Sequence, residues 1–130
     1  MIRPACPLDI DALFILESEL FPNSMNERML HHELIRGRGW VSGDPIDGYI
    51  LVRMDGDLID ITRLGVRATA SGHGIGRKLL EVALEGVPDA LLTVQKNNLR
   101  AMTLYKKAGF EIVGHLAGAG AWVMRRQKKG

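Results

Sequence analysis

An Asp-Gly pair, Asp55-Gly56, divides the stretch IDGYILVRMDGDLIDITRLGV into two apolar runs, roughly 47–54 and 57–66. Asp-Gly between such runs is a strong hairpin signal, because the turn needs positive φ and glycine accepts it without steric cost. The runs are therefore predicted as two neighbouring strands. SGHGIGRKLLEVALEG follows, with glycines at 72, 74 and 76 and with Leu79, Leu80 and Ala83 at helical spacing on one side. ALLTVQ (90–95) reads as another strand. A hairpin followed by a helix and a further strand constrains the chain to a mixed sheet with helices on its faces.

The flanking segments fit that frame. IRPA (2–5) reads as a short strand stopped by prolines, and a helix is predicted from Asp9, as N-cap, up to Pro22. SMNERMLHHELIRG offers a second helix with Met25, Met29 and Leu30 on one side and Gly37 past its end. Trp40 and Val41 suggest a short strand. NLRAMTLYKKAG is predicted helical, with Asn98 as N-cap and Gly109 as the C′ residue. FEIVGH and AWVMRR close the chain as a hairpin. The expected fold class is α/β, in the order β-α-α-β-β-β-α-β-α-β-β, as one domain over residues 1–130.

Composition narrows the function classes. The chain is 46% hydrophobic and 25% charged with a net charge of +2, which by itself implies no nucleic-acid partner. Its basic end, RRQKKG, is read as a solvated tail. Cys6 is the single cysteine, so neither a disulfide framework nor a cysteine metal site is expected, and no metal is assigned. MIRPACPLDID lacks the charged and apolar regions of a signal peptide, and no apolar run reaches membrane-spanning length. The expected compartment is the cytoplasm, without a membrane partner.

The glycine segment raises the question of a ligand. The first N–H groups of a helix have no intrahelical partner, and a bare backbone lets an anion reach them. The alternative is a flexible turn that happens to be rich in glycine. A dinucleotide fingerprint would sit after the first strand as G-x-G-x-x-G, whereas this pattern lies mid-chain as G-x-G-x-G with Arg77 next. A Walker A loop would need Lys-Ser or Lys-Thr after its last glycine, which GIGRKL lacks. On the later helix, Asn98, Ala101, Tyr105 and Ala108 share one face. An amide and a phenol two turns apart suit a long, narrow ligand, or else a cap and a core tyrosine.

Together the two stretches resemble the GNAT superfamily of acetyl-CoA-dependent N-acetyltransferases. Its pyrophosphate signature, Gln/Arg-x-x-Gly-x-Gly/Ala, is similar to SGHGIG, with Ser71 at the first position and Gly74 and Gly76 in place. Its later signature, Asn-x-x-Ala-x-x-Leu-Tyr followed by Gly-Phe, matches Asn98, Ala101, Leu104, Tyr105, Gly109 and Phe110. The opening IRPACPLDIDALFILESELFP looks like that of the ribosomal-protein alanine acetyltransferase (RimI) type. Thr93 stands where that type carries its general-base glutamate, and its acceptor loop is reduced here to about LAGAGA.

The resemblance implies acetyl-CoA as cofactor and coenzyme A as product. Pantetheine would pair with the backbone of Leu64, Gly65 and Val66, and the pyrophosphate would lie on N–H groups of Ser71, Gly72, His73, Gly74, Ile75, Gly76 and Arg77. Asn98 and Tyr105 would complete the site, with the His73 backbone rather than its imidazole toward the phosphate. Tyr105 matches the family's general acid, and the Leu64 N–H is the candidate oxyanion donor. Asp60 is the first choice of base, its alternative being a solvated hairpin carboxylate. The partner is an amine acceptor: a peptide N-terminus, a lysine or a small amine. Glu19, Glu27, Asp57 and Asp60 would suit a cationic one. The alternative function is an acetyl-CoA-binding sensor or interaction module with little transferase activity, and a purely structural role is the weakest reading. Many relatives dimerise, and the final strand is a candidate edge for a homodimer.

Overall fold

The computed structural model describes residues 1–127, so Lys128, Lys129 and Gly130 of the basic end lie outside the described residues. Seven strands form one sheet in the order β1-β2-β3-β4-β5-β7-β6: β1 (Ile2–Pro4), β2 (Gly37–Ser42), β3 (Gly48–Asp55), β4 (Leu58–Val66), β5 (Asp89–Gln95), β6 (Glu111–Leu116) and β7 (Ala121–Gln127). Helices α1 (Ile10–Leu20) and α2 (Glu27–Arg36) precede β2, while α3 (Ile75–Leu84) and α4 (Leu99–Lys107) flank β5 in sequence. The α-helix and strand order is the one expected. The β3–β4 hairpin turns through Gly56-Asp57, between the paired Asp55 and Leu58 and one residue beyond the expected Asp55-Gly56, with Gly56 at φ +61°.

Alternation on β3 divides the core. Tyr49 and Leu51 pack with Leu13, Leu16 and Leu30 of α1 and α2 on one face. Ile50 and Val52 pack with Leu79, Leu80 and Ala83 of α3 and Met102 and Tyr105 of α4 on the other. Successive strand side chains point to opposite faces, so a strand covered on both reads as the continuous apolar run GYILV.

Two irregularities of β4 shape everything that follows. Leu51 pairs with Arg63 and Val52 with Ile61, so Thr62 is an extra residue, a β-bulge whose hydroxyl donates to Leu51 O at 3.0 Å. A bulge reverses the facing of every residue beyond it. Leu64 therefore joins Ile59 and Ile61 on the α3–α4 face, and Arg63 turns to α1. The parallel β4–β5 ladder, in turn, runs only from Leu58↔Asp89 to Ile61↔Leu92, and beyond the bulge the two strands part.

Four further expectations change. The final strand is not an edge: β7 lies between β5 and β6, and β6 is the edge. Arg125 and Arg126 belong to β7 rather than to a solvated tail, and Arg125 pairs with Asp89 at 2.6 Å. Met29 faces solvent, because α2 turns Leu30 and Glu33 inward. The Asp9 carboxylate does not cap α1; it accepts from Cys6 N at 2.9 Å and pairs with Arg3 at 2.8 Å, closing a 3-10 turn (Pro7–Asp9) ahead of the helix.

Candidate active site

The parted strands open a cleft between β4 and β5, floored by the N-terminal ends of α3 and α4. One half, about 350 Å³, is lined by Leu64, Gly65, Val66, Ser71, Gly72, Gly74, Ile75, Gly76, Arg77, Asn98 and Tyr105, among others. The other, about 580 Å³, is lined by Thr62, Arg63, Thr93, Gln95 and Asn97. Leu20, Phe21, Leu64, Asn98, Ala101 and Tyr105 border both halves, so they form one continuous site. A larger cavity of about 610 Å³ lies along the outer sides of α3 and α4; of the expected site residues it meets Arg77 alone.

The glycine turn shows why bare backbone is needed. Gly72 and Gly74 have φ +85° and +76°, and Gly74 is the N-cap of α3. Glycine takes up such angles at no steric cost, whereas most residues with a Cβ are strained there. A Cβ at either position would meet nothing within 4 Å, so the space over the turn is open. The first N–H groups of α3 carry no intrahelical partner and add the positive end of the helix dipole. Ser71 Oγ donates back to Ala68 O at 2.9 Å, and His73 Nδ1 lies 3.1 Å from Ala70 O. The His73 ring is thereby turned away from the cleft, and His73 is the one expected cofactor residue that does not line it. Arg77 is exposed and pairs with Glu81 at 3.1 Å.

On α4, Asn98 caps the helix by accepting from Ala101 N at 3.2 Å, and Gly109, at φ +97°, ends it. Tyr105 packs edge-on against Phe110, with ring centroids 5.8 Å apart, and borders both halves of the cleft. Burial pushes its phenol up to about 12, which keeps the hydroxyl a proton donor across ordinary pH.

Asp60 is placed differently. It lies before the bulge, opposite Arg53 on β3 and Leu91 on β5, and borders neither half of the cleft. Burial raises its pKa, Arg53 opposes the shift, and Glu33 and Asp55 add to it. No Asp, Glu or His lines either half of the cleft among the described residues. Nor do those residues contain a group of three His, Cys, Asp or Glu side chains able to hold a metal. No helix among them is long and apolar enough to cross a membrane.

Sequence reasoning missed the far wall. Leu20, Phe21 and Pro22 border the cleft because the chain turns there from α1 toward α2; Pro22 after an apolar pair was the available signal. Glu17 is fully buried in the apolar stripe Leu13–Leu16–Leu20 of α1, and a charge at a core position was the clue to its partners. It accepts from Tyr49 Oη at 2.6 Å and pairs with Arg63. Burial, then that hydrogen bond, holds the Tyr49 phenol protonated far above the usual range. The Arg63 Nε–H points off the line to Glu17 Oε1, so their 2.7 Å approach is a charge pairing, with Nη2 to Oε2 at 3.2 Å as the aligned bond.

Residues 31–112 match the model of the acetyltransferase (GNAT) domain. The chain belongs to the GNAT acetyltransferase family. It is 30% identical to the N-alpha-acetyltransferase RimI of Mycobacterium tuberculosis, over 85% of this chain and 82% of that one. It is 29% identical to an uncharacterized protein of Mycobacterium leprae over 98% of its own length, yet spans only 40% of that protein. Among GNAT structures, the ribosomal-protein-S18-alanine N-acetyltransferase of Escherichia coli superposes with a TM-score of 0.86 at 18% identity, covering 98% and 92% of the two chains. Arabidopsis thaliana Naa50, solved with the bisubstrate analogue CoA-Ac-MVNAL, superposes at 0.83 with 25% identity over 98% and 97%.

Proposed function

We propose that the chain moves an acetyl group from acetyl-CoA to a primary amine by direct attack in a ternary complex, with α-amines as the preferred acceptors. The observation that carries this reading is one cleft bordered by both an open glycine turn and the Tyr105 phenol. The residues fit the cofactor: the turn offers N–H groups and unfilled space, and the parted edge of β4 offers the backbone of Leu64 and Val66 to pantetheine amides. Arabidopsis Naa50 binds an analogue joining coenzyme A to a peptide, and the Mycobacterium tuberculosis relative is named for α-amine acetylation.

Acetyl-CoA supplies an activated thioester carbonyl and a sulfur leaving group. The amine nitrogen forms a bond to the carbonyl carbon, the C–S bond breaks, and the nitrogen loses one proton to water. The Leu64 N–H would serve as donor to the carbonyl oxygen as charge grows there. The Tyr105 hydroxyl gives its proton to the departing sulfur and regains one from water.

The acceptor preference follows from the cleft lining. With no carboxylate or imidazole beside the acceptor, the amine must give its ammonium proton to solvent before it attacks. At pH 7.5 an α-amine of pKa ~8 is about one quarter neutral, whereas a lysine of pKa ~10.4 is about one part in a thousand, a difference of roughly 200-fold. Asp60 would act only through intervening water. The test is coenzyme A thiol release with a peptide bearing a free α-amine, against the same peptide N-acetylated but carrying a free lysine. Release with the first and little with the second is expected. Acetyl-CoA binding without release on any amine would instead support the sensor reading, for which Thr93 and the short Ala117–Ala119 turn speak.

A further inference from the structure

Glu17 has no exposed surface, and the chemistry above does not use it. Its Oε2 accepts from the Met25 N–H at 2.6 Å, in addition to the Tyr49 and Arg63 contacts. Arg63 Nη2 also donates to Asn23 O at 3.0 Å, and its guanidinium carbon lies 4.2 Å from the centre of the Phe21 ring. The pair therefore holds positions 21, 23 and 25, which is the turn between α1 and α2. That turn is the wall of the acceptor half of the cleft through Phe21 and Pro22. Arg63 reaches it only because the Thr62 bulge turns residue 63 to the α1 face.

The pair also has an electrostatic consequence. Arg63 lines the acceptor half, where a cationic amine must approach. A guanidinium alone there would repel it, but Glu17 at 2.7 Å cancels the charge. Burying two charges is a poor way to gain stability, since an apolar pair of similar volume does as well or better.

We propose that Glu17 and Arg63 form a positioning pair for the amine acceptor: they fix the α1–α2 turn as the cleft wall, and Glu17 masks the Arg63 charge. This rests on the transferase reading, so the test carries one arm that does not need turnover.

Glu17→Gln keeps the shape and an acceptor oxygen but uncovers the Arg63 charge. The acceptor KM is expected to rise about tenfold at low ionic strength, with acetyl-CoA affinity within about twofold, and to fall back by half or more in 0.5 M salt. Arg63→Met should raise the acceptor KM with no salt component and speed hydrogen exchange at the Met25 N–H by about tenfold or more. Arg63→Lys should restore part of both. An unchanged acceptor KM in either first variant overturns the proposal, as does a rise that ignores salt in Glu17→Gln and is matched by an equal loss of acetyl-CoA affinity. If the wild-type protein transfers to no amine, the transferase reading fails on its own, and unchanged Met25 exchange in Arg63→Met overturns the grip. Should Glu17→Gln fail to fold, the two Arg63 variants decide the same question.

Discussion

Replacing Tyr105 with phenylalanine separates packing from proton donation, because the structure gives the hydroxyl no protein partner to lose. The ring is 7% exposed, fills the space between α4 and the sheet, and meets Phe110 edge-on; none of these contacts needs the oxygen. The oxygen opens on the cleft and makes no hydrogen bond within the described residues. Stability at neutral pH should therefore change by less than about 0.5 kcal/mol, and acetyl-CoA affinity by less than about twofold. A positioned general acid contributes ~10²–10⁴-fold, and a thiolate leaves easily enough that the low end applies. A fall in kcat of about 10²-fold, or ~2.7 kcal/mol, is expected with little change in the KM for acetyl-CoA. Thiol release with a peptide α-amine, calorimetry and thermal melts supply the three readings. The pH profile adds a fourth. An unperturbed phenol ionises near pH 10, but burial pushes Tyr105 up to about 12, so no alkaline decline from this group belongs below about pH 11. Its folded value lies above the unfolded one, so its contribution to stability is complete below pH 10 and is lost as pH rises toward 12. Two units correspond to about 3 kcal/mol at most, and Tyr105→Phe should lose less stability across that window than the wild type. Wild-type turnover by a folded Tyr105→Phe protein would refute the assignment and leave water as the proton source.

Gly74→Val should weaken acetyl-CoA binding by more than about tenfold, because its side chain enters the open space over the turn and φ +76° strains a β-branched residue. Gly74→Asn, which tolerates that backbone, separates the strain from the obstruction; unchanged calorimetric affinity in both would sink the anion-cradle reading. Asp60→Asn should leave kcat within about twofold, since Asp60 borders neither half of the cleft; loss of an acidic limb from the pH–rate profile would restore it as the base. Arg3 holds the Asp9 carboxyl down at about 2, so that pair's contribution is present above about pH 4 and lost as pH falls toward 2. Arg3 is half exposed, so acid titration of stability should show only a small loss in that window, and Asp9→Asn should flatten the curve there.

Period and punctuation carried most of the fold. Asp55-Gly56 marked a hairpin to within one residue, the spacing of Leu79, Leu80 and Ala83 fixed the buried side of α3, and Asn98 and Gly109 fixed the ends of α4, because turns, stripes and caps are local interactions. The glycine turn and Tyr105 were legible for the same reason: each belongs to a short segment whose chemistry travels with its residues. What the chain order left open was which strand lies beside which. AWVMRR is last in sequence, yet β7 is interior, because its Asp89–Arg125 ion pair and its Leu92–Met124 packing form only when it pairs with β5. Asp60 and Arg63 stand three residues apart on one strand, and the sequence singles out Asp60 alone. The extra residue at Thr62 brings Arg63 to the same face as Asp60, and only Arg63, beyond the point where β4 and β5 part, lines the cleft; no side-chain pattern announces the bulge. Glu17 meets Tyr49 and Arg63 across 32 and 46 residues of chain, and burial moves the Tyr105 phenol by its surroundings alone. Such effects depend on distance through space and on the exclusion of water, and neither quantity exists until the sheet and helices have closed.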